Sequence, residues 1–410
     1  MAEGGIRALL ANRRFALYLG SRVSLIIATQ MLSVAVGWQV YEITGRALAL
    51  GFSGLALFLP NFLLALPGGH VADRYDRRKI ILGSHLAVAT CAAILAFMAY
   101  GGQHDLLPIY LVLGLLGTIR AFSGAASQAF MPSLVERTEL ERAVALGSST
   151  WQLAMIAGPS MGGALYAATG RAYVVYASCS VMAALAFASV LAIRPASGLA
   201  DAAKRAPPSW STVLAGLRYV WSEKPILGAI SLDLFAVLLG GATALLPIFA
   251  RDLLHIGPWG LGMLRSAPAI GAATVALVMA RFPLRHRAGA VMFFCVLLFG
   301  IATIVFGVSS NFVVSLIALL VLGGADMISV VVRSTLIQTR TPDEMRGRVG
   351  AVNMVFIGAS NELGEFESGV TAEWLGPRVA VLVGGIGTCL VVVTWAFLFP
   401  ELRDVDRLDD

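Results

Sequence analysis

The sequence predicts an all-α membrane protein, with twelve transmembrane helices in two pseudo-symmetric six-helix bundles. Three observations carry this prediction. First, 58% of the 410 residues are hydrophobic and only 13% are charged, whereas a soluble domain carries about 25% charged residues. Second, the apolar residues recur in blocks of the length that crosses a bilayer, roughly 20 residues each. Third, the two halves of the chain repeat at a shift of 206 residues.

Apolar length and Gly, Pro or charge punctuation place the spans at 15–44, 48–72, 80–101, 106–130, 143–167, 172–193, 225–250, 258–281, 287–309, 312–337, 346–371 and 378–399. Arg7, Arg13 and Arg14 precede a first block that is too long for the apolar region of a signal peptide, so this block reads as a permanent span. Some blocks exceed the hydrocarbon thickness, which predicts tilted or protruding helices.

The basic residues test the count. With twelve spans, 22 of the 30 Lys and Arg residues fall on the side that holds both termini. Only Arg46, Arg171, Arg251 and Arg378 fall on the other, and Arg22, Arg120, Arg265 and Arg333 lie within or at the edge of spans. Basic residues accumulate on the cytoplasmic side, so both termini are expected in the cytoplasm, with the protein in the cell (inner) membrane. A missed span would invert the bias of every later loop. The net charge of +6 therefore reports topology and calls for no nucleic-acid partner. The partners expected are a small-molecule substrate, protons as coupling ion and the bilayer, with the chain a monomer.

The division is 1–193 for the first bundle, 194–224 for a cytoplasmic linker and 225–410 for the second bundle. The linker contains Lys204, Arg205, Pro207 and Pro208, as a surface connection does. From Trp210 to Trp221 apolar and polar residues alternate at helical spacing, which suits a helix lying on the membrane surface. The repeat pairs Gly117 with Gly323, Arg120 with Asp326, Gly158 with Gly364, Gly163 with Gly369 and Gly170 with Gly376. Parallel six-span repeats imply two bundles about an axis along the membrane normal, with a cavity between them that suits alternating access.

Several chemistries are excluded. The lysines are Lys79, Lys204 and Lys224, and none follows Gly, so no G-x-x-x-x-G-K-[ST] phosphate loop exists to drive an ATP-powered pump. The five histidines are scattered without an H-E-x-x-H pair, which gives no support to a metalloenzyme. Cys91, Cys179, Cys295 and Cys389 each stand alone in an apolar block, without the spacing of zinc ligands or of a disulfide framework. No cofactor is expected.

The densest charge cluster lies between spans two and three. Gly69-x-x-x-Asp73-Arg74-x-Asp76-Arg77-Arg78 resembles the signature loop of the major facilitator superfamily, G-x-x-x-D-R-x-G-R-R, with Asp76 in place of a Gly. Span four, with Gly117, Arg120 and Gly124, resembles the family's membrane arginine motif. Gly158-Pro159-x-x-Gly162-Gly163 in span five is similar to the motif of exporters that work as antiporters, with Ala154 replacing an upstream Gly. Thr341-Pro342-Asp343-Glu344-x-Arg346-Gly347-Arg348 resembles the branch that includes enterobactin exporters. The resemblance covers essentially the whole chain. It implies the major facilitator fold and a secondary transporter, not an enzyme, with Gly69, Asp73, Arg74, Arg77 and Arg78 as a gating loop.

Physical reasoning adds roles. Asp73 can face the positive end of a neighbouring helix, the arginines can pair with acids on adjacent helix ends, and Asp76 can pair with Arg74 or Arg77. Arg120 lies mid-span, where a charge costs roughly 2.5–3.5 kcal/mol. It should face a cavity or an acid, with Asp326, Glu362, Glu365 and Glu367 as candidates. A structural ion pair, proton coupling and binding of a charged substrate all fit it. Glu362 and Glu365 share a helix face, Glu367 points elsewhere, and clustered carboxylates of low dielectric exchange protons near neutral pH. Asp233 in span seven is a further candidate. Pro159 should bend span five, as an antiporter-type kink or as plain packing.

The function expected is a proton-coupled exporter of a small amphipathic molecule, such as a drug or siderophore, working by alternating access. A proton-coupled importer of a small metabolite is the alternative.

Overall fold

The structure is a computed structural model that describes residues 7, 9–102, 105–193, 210–284 and 286–407, without the side chains of Leu66, Asp73 and residues 210–213. Within those residues it is helical, with no strand. The long helices are α1 (Arg13–Thr44), α2 (Ala47–Arg74), α3 (Arg77–Tyr100), α4 (Leu106–Phe130), α5 (Leu140–Thr169) and α6 (Ala172–Leu191). After α7 (Trp210–Ser222) come α8 (Lys224–Leu239), α9 (Gly257–Arg281), α10 (Ala288–Val308), α11 (Phe312–Arg340), α12 (Asp343–Leu375) and α13 (Pro377–Leu398).

Local sequence explains the ends. Asp76 caps α3, and Asn311 caps α11 by accepting the Val313 and Val314 N–H groups at 2.8 and 3.2 Å, which satisfies donors a helix start leaves open. Pro225, Pro258 and Pro377 stand in first turns, where a missing N–H costs nothing. Gly170 and Gly376 end α5 and α12 at φ of 64° and 84°, a backbone region that glycine enters without strain.

Among the described residues, ten helical segments are long and apolar enough to cross a membrane. The two remaining long helices, α5 and α12, occupy the expected fifth and eleventh spans but are less apolar. Glu362, Glu365 and Glu367 lie in α12, and Ser148, Ser149, Thr150 and Gln152 lie in α5. The two helices are equivalents in the repeat, so the polarity belongs to a repeated position.

The seventh span differs from an unbroken rod. α8 ends at Leu239, and after Gly240-Gly241 the chain runs through short helical turns to a π-helical segment, Phe249–Leu253. An added Cβ at Gly241 would lie 2.6 Å from both the Gly364 carbonyl oxygen and Ser368 Oγ of α12. The paired glycines therefore interrupt the helix where it meets a neighbouring backbone. Its repeat counterpart, α1, is continuous.

The chain forms two compact units, Met1–Gln39 with Leu59–Pro208, and Val40–Phe58 with Ser209–Asp410. The first has a core of Tyr18, Ile81, Ala126, Phe130 and Val190. The second is built around Leu232, Met292, Phe293, Val332 and Leu336, and it takes in the hairpin between α1 and α2.

The repeat is visible within each unit. In the first, an added Cβ at Gly158 of α5 would stand 2.5 Å from Gln30 Cβ of α1. In the second, one at Gly364 of α12 would stand 2.9 Å from the Leu238 carbonyl oxygen of α8. The paired glycines thus bring equivalent helices together by the same means.

Helix α7 is part of the second unit. Val220 is buried with Ile226, Ile337 and Val349, and Tyr219 Oη donates to the Arg340 carbonyl at 2.8 Å. Leu214 and Trp221 remain exposed, so one face is taken by protein and the other is open.

Candidate functional site

In the charged loop, Asp76 accepts the Arg78 N–H at 2.9 Å and caps α3. The arginines reach main-chain carbonyls. Arg77 Nη1 donates to Ala129 at 3.1 Å, and Arg78 donates through Nε and Nη2 to Val190 and Leu191 at 3.3 and 2.9 Å. These carbonyls belong to the last turns of α4 and α6, which carry negative partial charge, and the Val190 carbonyl also accepts the Ile193 N–H at 3.1 Å. Among the described side chains the arginines thus meet helix ends, because three helix termini converge within reach of one loop. Arg74 closes α2 and is exposed. Gly69 is half-buried, and at Gly68 an added Cβ would stand 2.5 Å from the Ala121 carbonyl oxygen. The Asp73 side chain lies outside the described residues.

The equivalent loop of the second half, from Arg281 to Arg287, contains no acid of its own. The segment after α13 supplies one. Asp406 Oδ1 accepts the Arg287 N–H at 2.9 Å, Oδ2 lies 3.1 Å from His286 Nδ1, and the Asp406 carbonyl accepts the Ala288 N–H at 3.0 Å. The His286 hydrogen bond and then the Arg287 N–H hold the Asp406 carboxyl below the usual aspartate value. Asp76 and Asp406 therefore serve the same helix start in the two halves from different places in the chain.

In span five, α5 continues through Pro159. Gly158, Gly162 and Gly163 are all buried. A Cβ at Gly162 would stand 2.8 Å from Met31 Cα, so this run is the contact of α5 with α1.

The intramembrane acids of the second unit separate into distinct environments. Asp233 of α8 forms an ion pair with Arg333 of α11, and the two are 5% and 2% exposed. Ser329 Oγ donates to Asp233 Oδ1 at 3.5 Å. Asp326, half-buried on α11, is within electrostatic reach of both Asp233 and Arg333. Glu365 lies against Gly54 of α2, with its Oε2 2.8 Å from an added Cβ, and within electrostatic reach of Arg265 of α9. Glu367 accepts the Thr371 hydroxyl at 2.7 Å along its own helix. Glu362 is half-buried. Arg120 belongs to the first unit and is exposed on α4.

Arg333 escaped the list of site residues drawn from sequence. A usable signal existed, since it stands seven residues after Asp326 and four after Ser329, on one face of a helix. A buried arginine also demands a carboxylate partner, because removing one member of such a pair costs about 3–5 kcal/mol.

A second group lies at the opposite end of the helices from the charged loop. Tyr41 Oη donates to Asp252, and the Arg251 guanidinium stands 5.6 Å from the Tyr41 ring centre. Arg46 pairs with Glu373 at 2.8 Å. In the last turn of α12, past the expected limit of span eleven at 371, the Glu373 carboxyl is held below the usual glutamate value by the Leu48 N–H and then by Arg46. Among the described residues no group of three His, Cys, Asp or Glu side chains could hold a metal ion.

This geometry can be set beside known proteins. The chain is 29% identical over 383 residues to the enterobactin exporter EntS of Citrobacter koseri, covering 92% of this chain and 90% of the relative. It is 28% identical to the EntS of Shigella boydii, with the same coverage. The nucleoside transporter NupG superimposes with a TM-score of 0.70 at 15% identity, covering 96% of this chain and 100% of that structure. A bacterial homologue of the iron transporter ferroportin, in its inward-facing state, gives 0.71 at 15% identity, over 96% and 99% of the two chains. The D-xylose–proton symporter gives 0.69 at 13% identity, over 97% and 98%. These likenesses show the major facilitator fold. The family model described as transmembrane secretion effector matches residues 8–410, and the chain belongs to that family, a membrane-embedded transporter of the major facilitator superfamily.

Proposed function

We propose that this chain is a proton-coupled exporter of the inner membrane, carrying a small amphipathic molecule of the drug or siderophore kind outward by alternating access. Both termini lie in the cytoplasm, and the working unit is the monomer. The observation that carries the coupling is the buried ion pair of the second unit, in which Asp233 and Arg333 meet within an apolar core, with Asp326 two turns before Arg333 on α11. Charge buried in hydrocarbon is costly and belongs to ion pathways. Export as the direction follows the relatives named as enterobactin exporters.

In this reading the loop from Gly69 to Arg78 gates the cytoplasmic side. The bonds of Arg77 and Arg78 to the ends of α4 and α6 hold one conformation and break in the other. Arg120, Glu362, Glu365 and Glu367 supply further charge for substrate or protons, and Gly158, Pro159, Gly162 and Gly163 set the packing of α5 that the antiporter branch requires.

The test uses purified protein in liposomes with an internal pH dye. Gradients of lipophilic drugs and catechol-type siderophores, enterobactin among them, are imposed with no preset pH gradient. Proton movement opposite to the transported compound is expected. Movement in the same direction would replace export by proton-coupled import, and flux without proton movement would end the coupling reading.

A further inference from the structure

The inner face of α7 is pinned at one level of the second unit. Tyr219 Oη donates to the carbonyl of Arg340, the last residue of α11. An added Cβ at Gly216 would stand 2.7 Å from the carbonyl oxygen of Arg348, in the second turn of α12. A single residue, Glu223, separates α7 from α8, where a membrane-crossing segment begins at Lys224. α7 therefore lies where three long helices begin or end, at the edge of the hydrocarbon.

Its outer face carries Leu214, Arg218 and Trp221, which follow one another at i, i+4 and i+7 and so form one stripe. Leu214 is 60% and Trp221 68% exposed, and Arg218 is exposed between them. Two large apolar side chains left in water beside a bilayer forgo burial worth about 25 cal/mol per Å². Tryptophan settles at the membrane–water boundary, and an arginine among apolar neighbours keeps its stem in them and its head among polar groups.

The charges around this stripe are unbalanced. Lys224 is taken by Glu401 at 2.9 Å and Arg346 by Asp343 at 2.6 Å. Among the described residues, Arg218, Arg340 and Arg348 form no ion pair. The side chain of Arg348 is exposed and makes one contact, from Nη1 to Met345 Sδ at 3.5 Å. Lys204 and Arg205 precede α7 in the chain. The acids of α7, of the α7–α8 junction and of the first turn of α12 that remain unpaired are Glu223 and Glu344, so positive charge is in excess.

We infer that the outer face of α7 is a docking surface for anionic phospholipid, with Leu214 and Trp221 seated at the acyl boundary and Arg218 and Arg348 on the headgroup phosphates. The occupant is lipid because the stripe adjoins the start of a spanning helix, and anionic lipid because the guanidinium groups beside it lack carboxylates. The surface ties the ends of α11 and α12 to the bilayer. It goes beyond the transport reading and is independent of direction and coupling.

The test places a nitroxide spin label at Leu214→Cys or Trp221→Cys of the purified full-length chain, with the four native cysteines replaced by serine. The protein is held in nanodiscs of phosphatidylcholine alone, or of phosphatidylcholine mixed with phosphatidylglycerol, with no transported compound. Oxygen, which concentrates in lipid, and a nickel chelate, which stays in water, report where each label lies. In the phosphatidylglycerol mixture both labels are expected to favour oxygen, and in phosphatidylcholine alone nickel access should rise. Arg218→Gln and Arg348→Gln, at exposed side chains, should each lower the ratio of lipid-seated to free label roughly fivefold in the mixture. High salt should do the same.

Labels that favour nickel in both lipids overturn the inference. Labels shielded from both reagents put a protein segment on this face and overturn it as well. Oxygen access that is equal in the two lipids and unmoved by the arginine variants overturns the anionic seat. If Trp221→Cys does not fold, the label at Leu214→Cys decides alone. Because no flux is measured, failure of coupled transport in liposomes leaves this surface standing, and failure here leaves the transport reading untouched.

Discussion

Arg46 Nε donates to Glu373 Oε1 at 2.8 Å while the second oxygen of the same carboxylate takes the Leu48 N–H at 3.2 Å. One glutamate thus pairs with a cation and caps the start of α2. Arg46 is 62% exposed, so the ion pair itself contributes little, about 0.2–1 kcal/mol. Glu373→Gln is expected to lower the melting temperature slightly at neutral pH. The folded carboxyl lies below its usual value, so its contribution is complete above the ordinary glutamate range and is lost as pH falls through the depressed folded value. Melting curves of the wild type should lose this increment on acidification, and those of Glu373→Gln should lack it at every pH.

Arg78 closes the end of α6 through two carbonyls. Arg78→Ala takes the side-chain donor from both, leaving Val190 its Ile193 N–H, and removes a cation from a helix C-terminus, at a cost of about 1 kcal/mol. Arg78→Lys restores the charge but not the fork that reaches two acceptors. Alanine is expected to speed amide hydrogen exchange in the last turn of α6, with lysine giving a partial rescue.

Packing predictions separate two glycines. A Cβ at Gly323 of α11 would collide with the Pro268 carbonyl oxygen of α9, whereas one at Gly83 of α3 meets nothing within 4 Å. Gly323→Ala must push two backbones apart, and overpacking of this kind costs about 1–3 kcal/mol. Gly83→Ala removes only the entropic penalty of glycine in a helix and should stabilise by about 0.5–1 kcal/mol. Thermal unfolding in one detergent checks both signs.

Asp406 ties the segment after α13 to the start of α10. Asp406→Ala is expected to release this segment, with faster proteolysis beyond Leu402 and a lower melting temperature. Because its carboxyl is also held below the usual value, the same release should occur in the wild type as acid protonates it. Limited trypsin digestion of the variant, and an acid-stable protease on the wild type, report the two cases.

Transport assays address the charged loop and span four. Asp73→Asn should leave insertion intact and cripple flux, and Arg120→Ala should reduce flux far more than expression. Wild-type flux in either variant would remove that residue from the proposed mechanism.

Much of this architecture is written in local sequence. The span expected at 106–130 is α4, Leu106–Phe130, and the others end within a few residues of the expected limits except the seventh, whose α8 stops at Leu239 instead of 250; the agreement holds because hydrocarbon length and helix caps are properties of contiguous residues. The repeat was equally legible, since Gly158 and Gly364 serve equivalent contacts. What escaped was partnership at a distance. Nothing near residue 78 announces the carbonyls of Val190 and Leu191, and nothing near residue 287 announces Asp406. The pairing of Arg333 with Asp233 joins residues 100 positions apart, and helical periodicity orders one helix without choosing its neighbour. Asp76 was misjudged for a different reason. Read as a charge it sought an arginine, while its position one residue before a helix made it a cap.

The break at Gly240-Gly241 gives the two halves different first helices. α1 is a continuous beam of 32 residues. The seventh span is jointed. Its first part, with Asp233, is held to α11 by Arg333, and the stretch after the joint has a burial of its own, with Leu245, Leu246, Phe249 and Ala250 fully enclosed and Phe249 stacked on Phe306. Symmetry of descent therefore does not impose symmetry of form: the half that holds the buried ions also holds the interrupted helix.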